Sequence, residues 1–278
     1  MIVCTKMNGN GNDFLMIDNM DLKYDKSTLS EFAIKLCRRR EAVGGDGILV
    51  AEPSERVDFK MRLFNSDGSE GEMCGNGSRC MARFAYEKGI VKKTEMVFET
   101  LGGDVLARVN GHRASLRLAP VSVKGAAVEA PASVGGFDFN YTFLTVGVPH
   151  TVIFEEKRSR TNDEYRKLGR MIRNRQDLFP EGTNVDFAVA REGRGAGLDV
   201  LTYERGVEDL TLSCGTGSTA SAIAALLIGI TGPKVDVYNP GGLNRVSLTF
   251  ESSDSILPEL EGGAVMVADM AVSEEALD

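Results

Sequence analysis

Residues 73–80 read Met-Cys-Gly-Asn-Gly-Ser-Arg-Cys and residues 213–220 read Ser-Cys-Gly-Thr-Gly-Ser-Thr-Ala, so that Cys-Gly-x-Gly occurs twice, 140 positions apart. Each copy follows strand-like runs and opens a segment with helical patterning: Ser78 to Lys88, stopped by Gly89, in the first case, and a long small-residue stretch from Gly215 onward in the second. The surroundings repeat as well. Working outward from the first copy, the runs 47–51, 59–64, 96–100, 105–109 and 114–118 are β-rich and bounded by Gly, Pro, Asp or Asn. Around the second copy stand the runs 143–148, 151–154, 184–190, 199–204, 234–238 and 245–250. Two further helices are expected, one over 27–40 with Ser27 as its cap and one over 163–174. The pattern predicts two similar α/β halves joined near Pro120, with a last run, 264–272, that pairs back to the first half. A chain of 278 residues, 42% hydrophobic, is long enough for two cores of ordinary domain size.

Composition excludes several classes. With 32 Lys and Arg against 40 Asp and Glu, the net charge is −8, which repels phosphate backbones and anionic headgroups. No role with nucleic acid or membrane is expected. The first residues lack a basic region followed by an apolar one, and the longest small-apolar stretch, 220–230, is too short to span a bilayer; a cytoplasmic protein is expected. Five cysteines without regular spacing read as reduced thiols rather than a disulfide framework. Only His112 and His150 are available beside them, so no metal site is expected. Cys4 and Cys37 read as small buried hydrophobes. Arg38, Arg39 and Arg40 read as a solvated helix end.

The chemistry lies in the repeated turn. Glycines let the backbone curl at a helix start and leave N–H groups without intrahelical partners, a place suited to an anion. The same positive end favours thiolate over thiol, so Cys74 and Cys214 are expected to have pKa values below the usual value of about 8.5. Two such thiols on opposite faces of one α-carbon, beside a carboxylate held by both helix starts, would invert that carbon by removing and returning a proton. Water exclusion by closure of the halves would strengthen the stabilisation of the developing negative charge. Glu204 and Arg205 precede the second turn; Arg205 is a candidate for a substrate carboxylate and Glu204 for an ammonium or a thiol, with an ordinary ion pair as the plain alternative. Asn12, Asn65, Asn76 and Asn184 sit beside turns, where asparagine commonly serves the backbone.

The ordered segments KMNGNGNDF, Gly44-Gly45-Asp46-Gly47, MRLFNSDGSEGEMCGNGSRCMARF, Pro149-His150, FPEGTNVDF, YERG, LSCGTGSTASA and Pro240-Gly241-Gly242 resemble the diaminopimelate epimerase family over nearly the whole chain. That resemblance implies two pseudo-symmetric α/β (α+β) domains, each a curved, mostly antiparallel sheet wrapped around a central helix, here 1–118 with 263–278 and 119–262. It implies an isomerase of lysine and peptidoglycan-precursor biosynthesis that uses no pyridoxal phosphate, no other cofactor and no metal, acts on a small amino acid, and forms a homodimer. Carried onto this chain, Cys74 and Cys214 are the acid and base, His150 and Glu204 support catalysis, and Asn12, Asn65, Gly75, Asn76, Asn184, Glu204, Arg205, Gly215 and Thr216 contact substrate. Cys80 is assigned to packing.

One position departs from the family pattern. Where the family commonly has Gly-Asn-Pro-His, this chain reads Gly147-Val148-Pro149-His150. A racemase for another amino acid would keep the cysteines and change such distal contacts. A nucleotide-binding module is disfavoured because Gly75-Asn76-Gly77-Ser78-Arg79-Cys80 lacks the third glycine of Gly-x-Gly-x-x-Gly and no Gly-Lys-Ser/Thr occurs. A catalytically silent relative has no support, since both cysteines are present.

Overall fold

The computed structural model describes residues 1–191 and 197–278. These divide into two compact units, Met1–Arg117 with Glu261–Asp278, and Leu118–Leu260. The first unit runs β1 (Ile2–Gly9), β2 (Asn12–Asp18), α1 (Lys26–Leu36), β3 (Gly47–Glu52), β4 (Phe59–Asn65), β5 (Glu70–Gly71), α2 (Gly75–Glu87), β6 (Glu95–Thr100), β7 (Gly103–Asn110) and β8 (Arg113–Arg117). The second follows with β9 (Val121–Ser122), β10 (Ala127–Val134), β11 (Phe137–Val146), β12 (Val148–Glu155), α3 (Asn162–Arg173), β13 (Asn184–Ala190), β14 (Gly197–Glu204), β15 (Asp209–Thr211), α4 (Gly215–Leu227), β16 (Lys234–Asn239), β17 (Gly242–Ser252) and β18 (Ser255–Gly263). The chain then supplies β19 (Val265–Val272), antiparallel to β1.

Strand pairing repeats from one unit to the other. In the first, β1 and β2 are antiparallel, β2 and β3 parallel, β3 and β4 antiparallel, β4 and β6 parallel, and β6 and β7 antiparallel. In the second, β11 and β12, β12 and β13, β13 and β14, β14 and β16, and β16 and β17 follow the same sequence of directions. Each parallel step carries a helix as its crossover, which parallel neighbours require. The sequence patterning located most of these elements but missed β2, β10 and β18 and the short β5, β9 and β15. In β2 the run Phe14 to Ile17 is buried on both faces, so no alternation marks it.

Two kinds of helix follow from two kinds of pattern. α1 buries one stripe, Leu29, Phe32, Ala33 and Leu36, beneath which lie Leu15, Ile17, Ile48 and Val50. Its cap is Asp25, whose carboxylate accepts from the Thr28 N–H at 2.8 Å; Ser27, the expected cap, lies inside the helix. It ends at Leu36, so the three arginines stand beyond it rather than closing it. α3 buries Tyr165, Leu168, Gly169 and Ile172 and is held at its start by a reciprocal Thr161 and Glu164 capping box. α2 and α4 differ: residues 76–85 and 217–225 are buried on every side. α2 touches β1, β2, β3, β7 and β8, and α4 touches β11, β12, β13, β14, β16 and β17, so each sheet curls about its own helix. Small residues suit α4 to that position, because Ala220, Ala222, Ala224 and Ala225 let strands approach from all directions.

Gly169 shows how close the packing is. A Cβ there would lie 2.6 Å from Cβ and Cγ of Tyr203, which is fully buried. Alanine in a helix interior gains about 1 kcal/mol over glycine, but overpacking of this kind costs about 1–3 kcal/mol. Gly169→Ala is therefore expected to lower the urea midpoint of unfolding, and a raised midpoint would show that the contact yields.

Candidate active site

Each repeated turn forms the first residues of a buried helix. Cys74 is the N-cap of α2, with extended backbone at φ −134° and ψ 121°, and its Sγ accepts from the Gly77 N–H at 3.5 Å. Cys214 is the N-cap of α4, at φ −111° and ψ 116°, and its Sγ accepts from the Gly217 N–H at 3.4 Å. Cysteine is not among the usual capping residues, so a sulfur in this role at both helices is a feature of the site rather than of helix formation. The first N–H groups of a helix have no intrahelical acceptor, so each of these helix starts is a place suited to an anion. Nothing lies within 4 Å of the place a Gly75 Cβ would occupy.

In the first unit, a chain of polar groups leads away from Cys74. Asn76 Nδ2 donates to Asn12 Oδ1 at 2.7 Å, and Asn12 Nδ2 donates to Asp46 Oδ2 at 2.9 Å. At the other end, Arg79 Nη2 donates to Asn76 Oδ1 at 2.7 Å. A guanidinium only donates and a carboxylate here only accepts, so a cation at one end and an anion at the other fix the orientation of both amides. Arg79 is fully buried, and its Nη1 has no hydrogen-bond partner among the described residues. Asp46 is held by Arg39, which also grips Asp13 through Nη1 at 3.0 Å and Nη2 at 2.5 Å. Burial works against the charge of Asp13, but Arg39 and Lys6 outweigh it and hold its carboxyl below the ordinary range. Arg39 is thus solvent-exposed, as expected, yet also anchors the asparagine chain through Asp46. Asn65 does not join these groups: it is exposed, and its Nδ2 donates to Ser69 Oγ at 3.0 Å.

In the second unit the register of β12 against β13 sets His150 opposite Asn184. His150, Asn184 and Asp186 are all buried, with His150 Nδ1 2.7 Å from Asp186 Oδ2 and Asn184 Nδ2 3.3 Å from His150 Nε2. Asn184 Oδ1 accepts from the Arg205 backbone N–H at 2.7 Å. The Arg205 guanidinium makes no ion pair with Glu204 among the described residues; its Nη1 donates to the Glu181 carbonyl at 2.6 Å. Burial raises the pKa of the Glu204 carboxyl. Thr216 Oγ1 lies 3.4 Å from the Cys214 sulfur.

Cys214 corrects one expectation. Burial pushes its thiol far up, and the Glu204 and Asp186 carboxylates push the same way. The Thr216 hydroxyl and the Gly217 N–H act in the opposite direction without overcoming them. The helix start does favour thiolate, but desolvation of the charged form exceeds that effect. Cys80 is also buried and raised, to about 12, as suits a packed side chain.

Three residues of these networks had no role in the sequence reading: Asp46, Arg79 and Asp186. Asp186 left a legible trace, since it stands two positions after Asn184 in the otherwise apolar run Val185, Phe187, Ala188, Val189 and so shares the face of Asn184. Arg79 left less, because a single arginine in a helix normally faces water.

Comparison with known proteins places the fold first. The chain is similar to a solved probable proline racemase from Agrobacterium radiobacter K84, with 16% identity, a TM-score of 0.68, and 98% of this chain and 93% of that one covered. It is likewise similar to a solved methylitaconate-delta-isomerase, with 15% identity, a TM-score of 0.69, and 100% and 97% covered. At such identities the likeness establishes the shared architecture. The sequence decides the family: the model for diaminopimelate epimerase matches residues 4–123 and 142–267. Proteins named diaminopimelate epimerase from Caldanaerobacter subterraneus subsp. tengcongensis and from Hydrogenobaculum sp. are 41% and 39% identical, covering 92% and 99% of this chain and 96% and 99% of their own. This chain belongs to the diaminopimelate epimerase family.

Among the described residues no helix is long and apolar enough to cross a membrane, and no cluster of His, Cys, Asp or Glu is arranged to hold a metal ion.

Cys74 is the one cysteine of the five that is not buried. Iodoacetamide at pH 7.5, followed by peptide mass spectrometry, is expected to label Cys74 first, while Cys214 stays slow as the pH rises to 9. Earlier labelling of Cys214 would contradict its burial as a protonated thiol.

Proposed function

We propose that the protein converts LL-diaminopimelate to meso-diaminopimelate without a cofactor, using Cys74 and Cys214 as its acid and base, and so acts in lysine and peptidoglycan-precursor biosynthesis. The observation that carries this assignment is the doubled N-cap sulfur, one at each buried helix start, in a chain of this family. Inversion by two thiols requires that one remove the α-proton while the other delivers a proton to the opposite face. The raised pKa of Cys214 suits it to deliver a proton, and Cys74 is assigned as the base in that direction; in the reverse reaction the roles exchange. Once the α-proton leaves, charge spreads onto the neighbouring carboxylate. The N–H groups of Gly75, Asn76, Gly215 and Thr216 are the donors assigned to it, and one well-placed donor of this kind is worth about 2.7–4 kcal/mol in the transition state.

Asn12, Asn65, Asn184, Glu204 and Arg205 are assigned to the substrate, with Asn12 and Asn184 the best prepared, because the Asp46 carboxylate fixes the amide of the first and the Arg205 backbone N–H that of the second. His150 supports catalysis through the hydrogen bond its ring shares with Asn184. A small amino acid is the expected partner, and a homodimer in the cytoplasm the expected setting.

Val148 favours a second reading, epimerisation of another amino acid. It is part-buried at the start of β12 and offers no side-chain hydrogen bond where the family commonly has asparagine. One such bond contributes about 0.5–1.5 kcal/mol.

Incubation with LL-diaminopimelate in D2O is expected to give meso product carrying α-deuterium, with Cys74→Ala and Cys214→Ala each lowering the rate by at least a hundredfold. Absence of both exchange and meso product in the unaltered protein would end the assignment. Val148→Asn is expected to lower KM for diaminopimelate by a factor of two to ten; an unchanged KM would separate position 148 from recognition of the distal end.

A further inference from the structure

We propose that Asp186 is a positioning residue for the Cys214 half of the site, whose carboxylate holds His150 as the Nδ1–H tautomer and thereby turns the Asn184 amide into a fixed donor. The inference rests on the function proposed above for its catalytic consequence, but its geometry stands independently.

Hydrogen positions along this chain follow from its two ends. The backbone N–H of Arg205 can only donate, so the Asn184 atom 2.7 Å away is the carbonyl oxygen Oδ1. Nδ2 of Asn184 then faces His150 Nε2 at 3.3 Å, and since an amide nitrogen only donates, Nε2 must offer a lone pair. A neutral imidazole with a bare Nε2 carries its proton on Nδ1. Asp186 Oδ2, 2.7 Å from Nδ1, is the acceptor that proton needs. The other carboxylate oxygen is equally committed, since Thr202 Oγ1 donates to Asp186 Oδ1 at 2.7 Å. His150, Asn184, Asp186 and Thr202 are each nine-tenths or more buried, so water does not substitute for a missing partner among them.

The seat of the carboxylate is built into α4. A Cβ on Gly217 would lie 2.3 Å from Asp186 Oδ1 and 2.9 Å from Thr202 Oγ1, so only glycine at the third position of the helix admits this arrangement. One hydrogen of Asn184 Nδ2 is taken by His150, which leaves the second for an acceptor. On the proposed function, that acceptor is a carboxylate oxygen of the amino acid. Loss of Asp186 should therefore appear as weakened binding more than as slowed chemistry.

The chain has two histidines, His112 exposed and His150 buried, so nitrogen-15 histidine labelling of the whole protein gives a spectrum with few signals to assign. The unaltered protein at pH 7.5 is expected to show His150 as the neutral Nδ1–H form. Asp186→Ala and the similarly sized Asp186→Asn are each expected to reduce that population. Both should raise KM for LL-diaminopimelate, by about tenfold for alanine and less for asparagine, with kcat changing less than KM. Circular dichroism melting checks that each variant is folded. An Nε2–H or doubly protonated His150 in the unaltered protein overturns the proposal, as does a folded variant that keeps both the Nδ1–H form and the original KM. If neither variant folds, the unaltered protein decides by its tautomer. Failure of the unaltered protein to act on LL-diaminopimelate would instead strike the proposed function, because the tautomer is read without substrate.

Discussion

At the start of each buried helix, amide groups that have no partner inside the helix meet a cysteine sulfur. This contact, Gly77 N–H to Cys74 Sγ and Gly217 N–H to Cys214 Sγ, governs what surrounds it. A helix enclosed on every side by its own sheet has its interior amides satisfied and its flanks sealed, so its open end is where an anion can be received. The glycines after each cysteine keep that end free of side chains. The strands curl because they must cover a helix on several faces at once, and α4 with its alanines permits that approach.

The two helix starts share a plan but differ in charge. Near Cys74 the buried cation is Arg79, and the amides of Asn76 and Asn12 are aligned between it and Asp46. Near Cys214 the buried charges are the carboxylates of Asp186 and Glu204, and the amide of Asn184 is aligned through His150. Asn76 and Asn12 are thus oriented by charged groups in direct contact, and Asn184 by a carboxylate one residue removed from it. The carboxylates, together with burial, push the Cys214 thiol up and so favour its protonated form.

Much of the fold was legible because its signals are local. The two Cys-Gly-x-Gly turns, the amphipathic stripe of α1 and the alternating strands announce themselves within a few residues. β2 was missed because a strand buried on both faces has no alternation to detect. The cap of α1 was misplaced by two residues, Ser27 for Asp25, since both types cap helices and only the backbone tells which one leaves it. Cys74, Cys214 and Asn184 could be singled out from the residues around them, whereas Asp46 and Asp186 act on partners far away along the chain, and Arg79, whose partner Asn76 is near, is distinguished only by its burial.

The sequence by itself determined the doubled helix start, the two similar halves and the family, because each rests on residue types in fixed order. Tertiary structure alone decided that the Cys214 thiol is pushed up rather than down, and the direction of the Asn12, Asn76 and Asn184 amides. The physical reason is that burial and charge depend on distance through space: Asp186 lies 28 positions before Cys214 in the chain, yet its carboxylate rests against the first turn of that cysteine's helix.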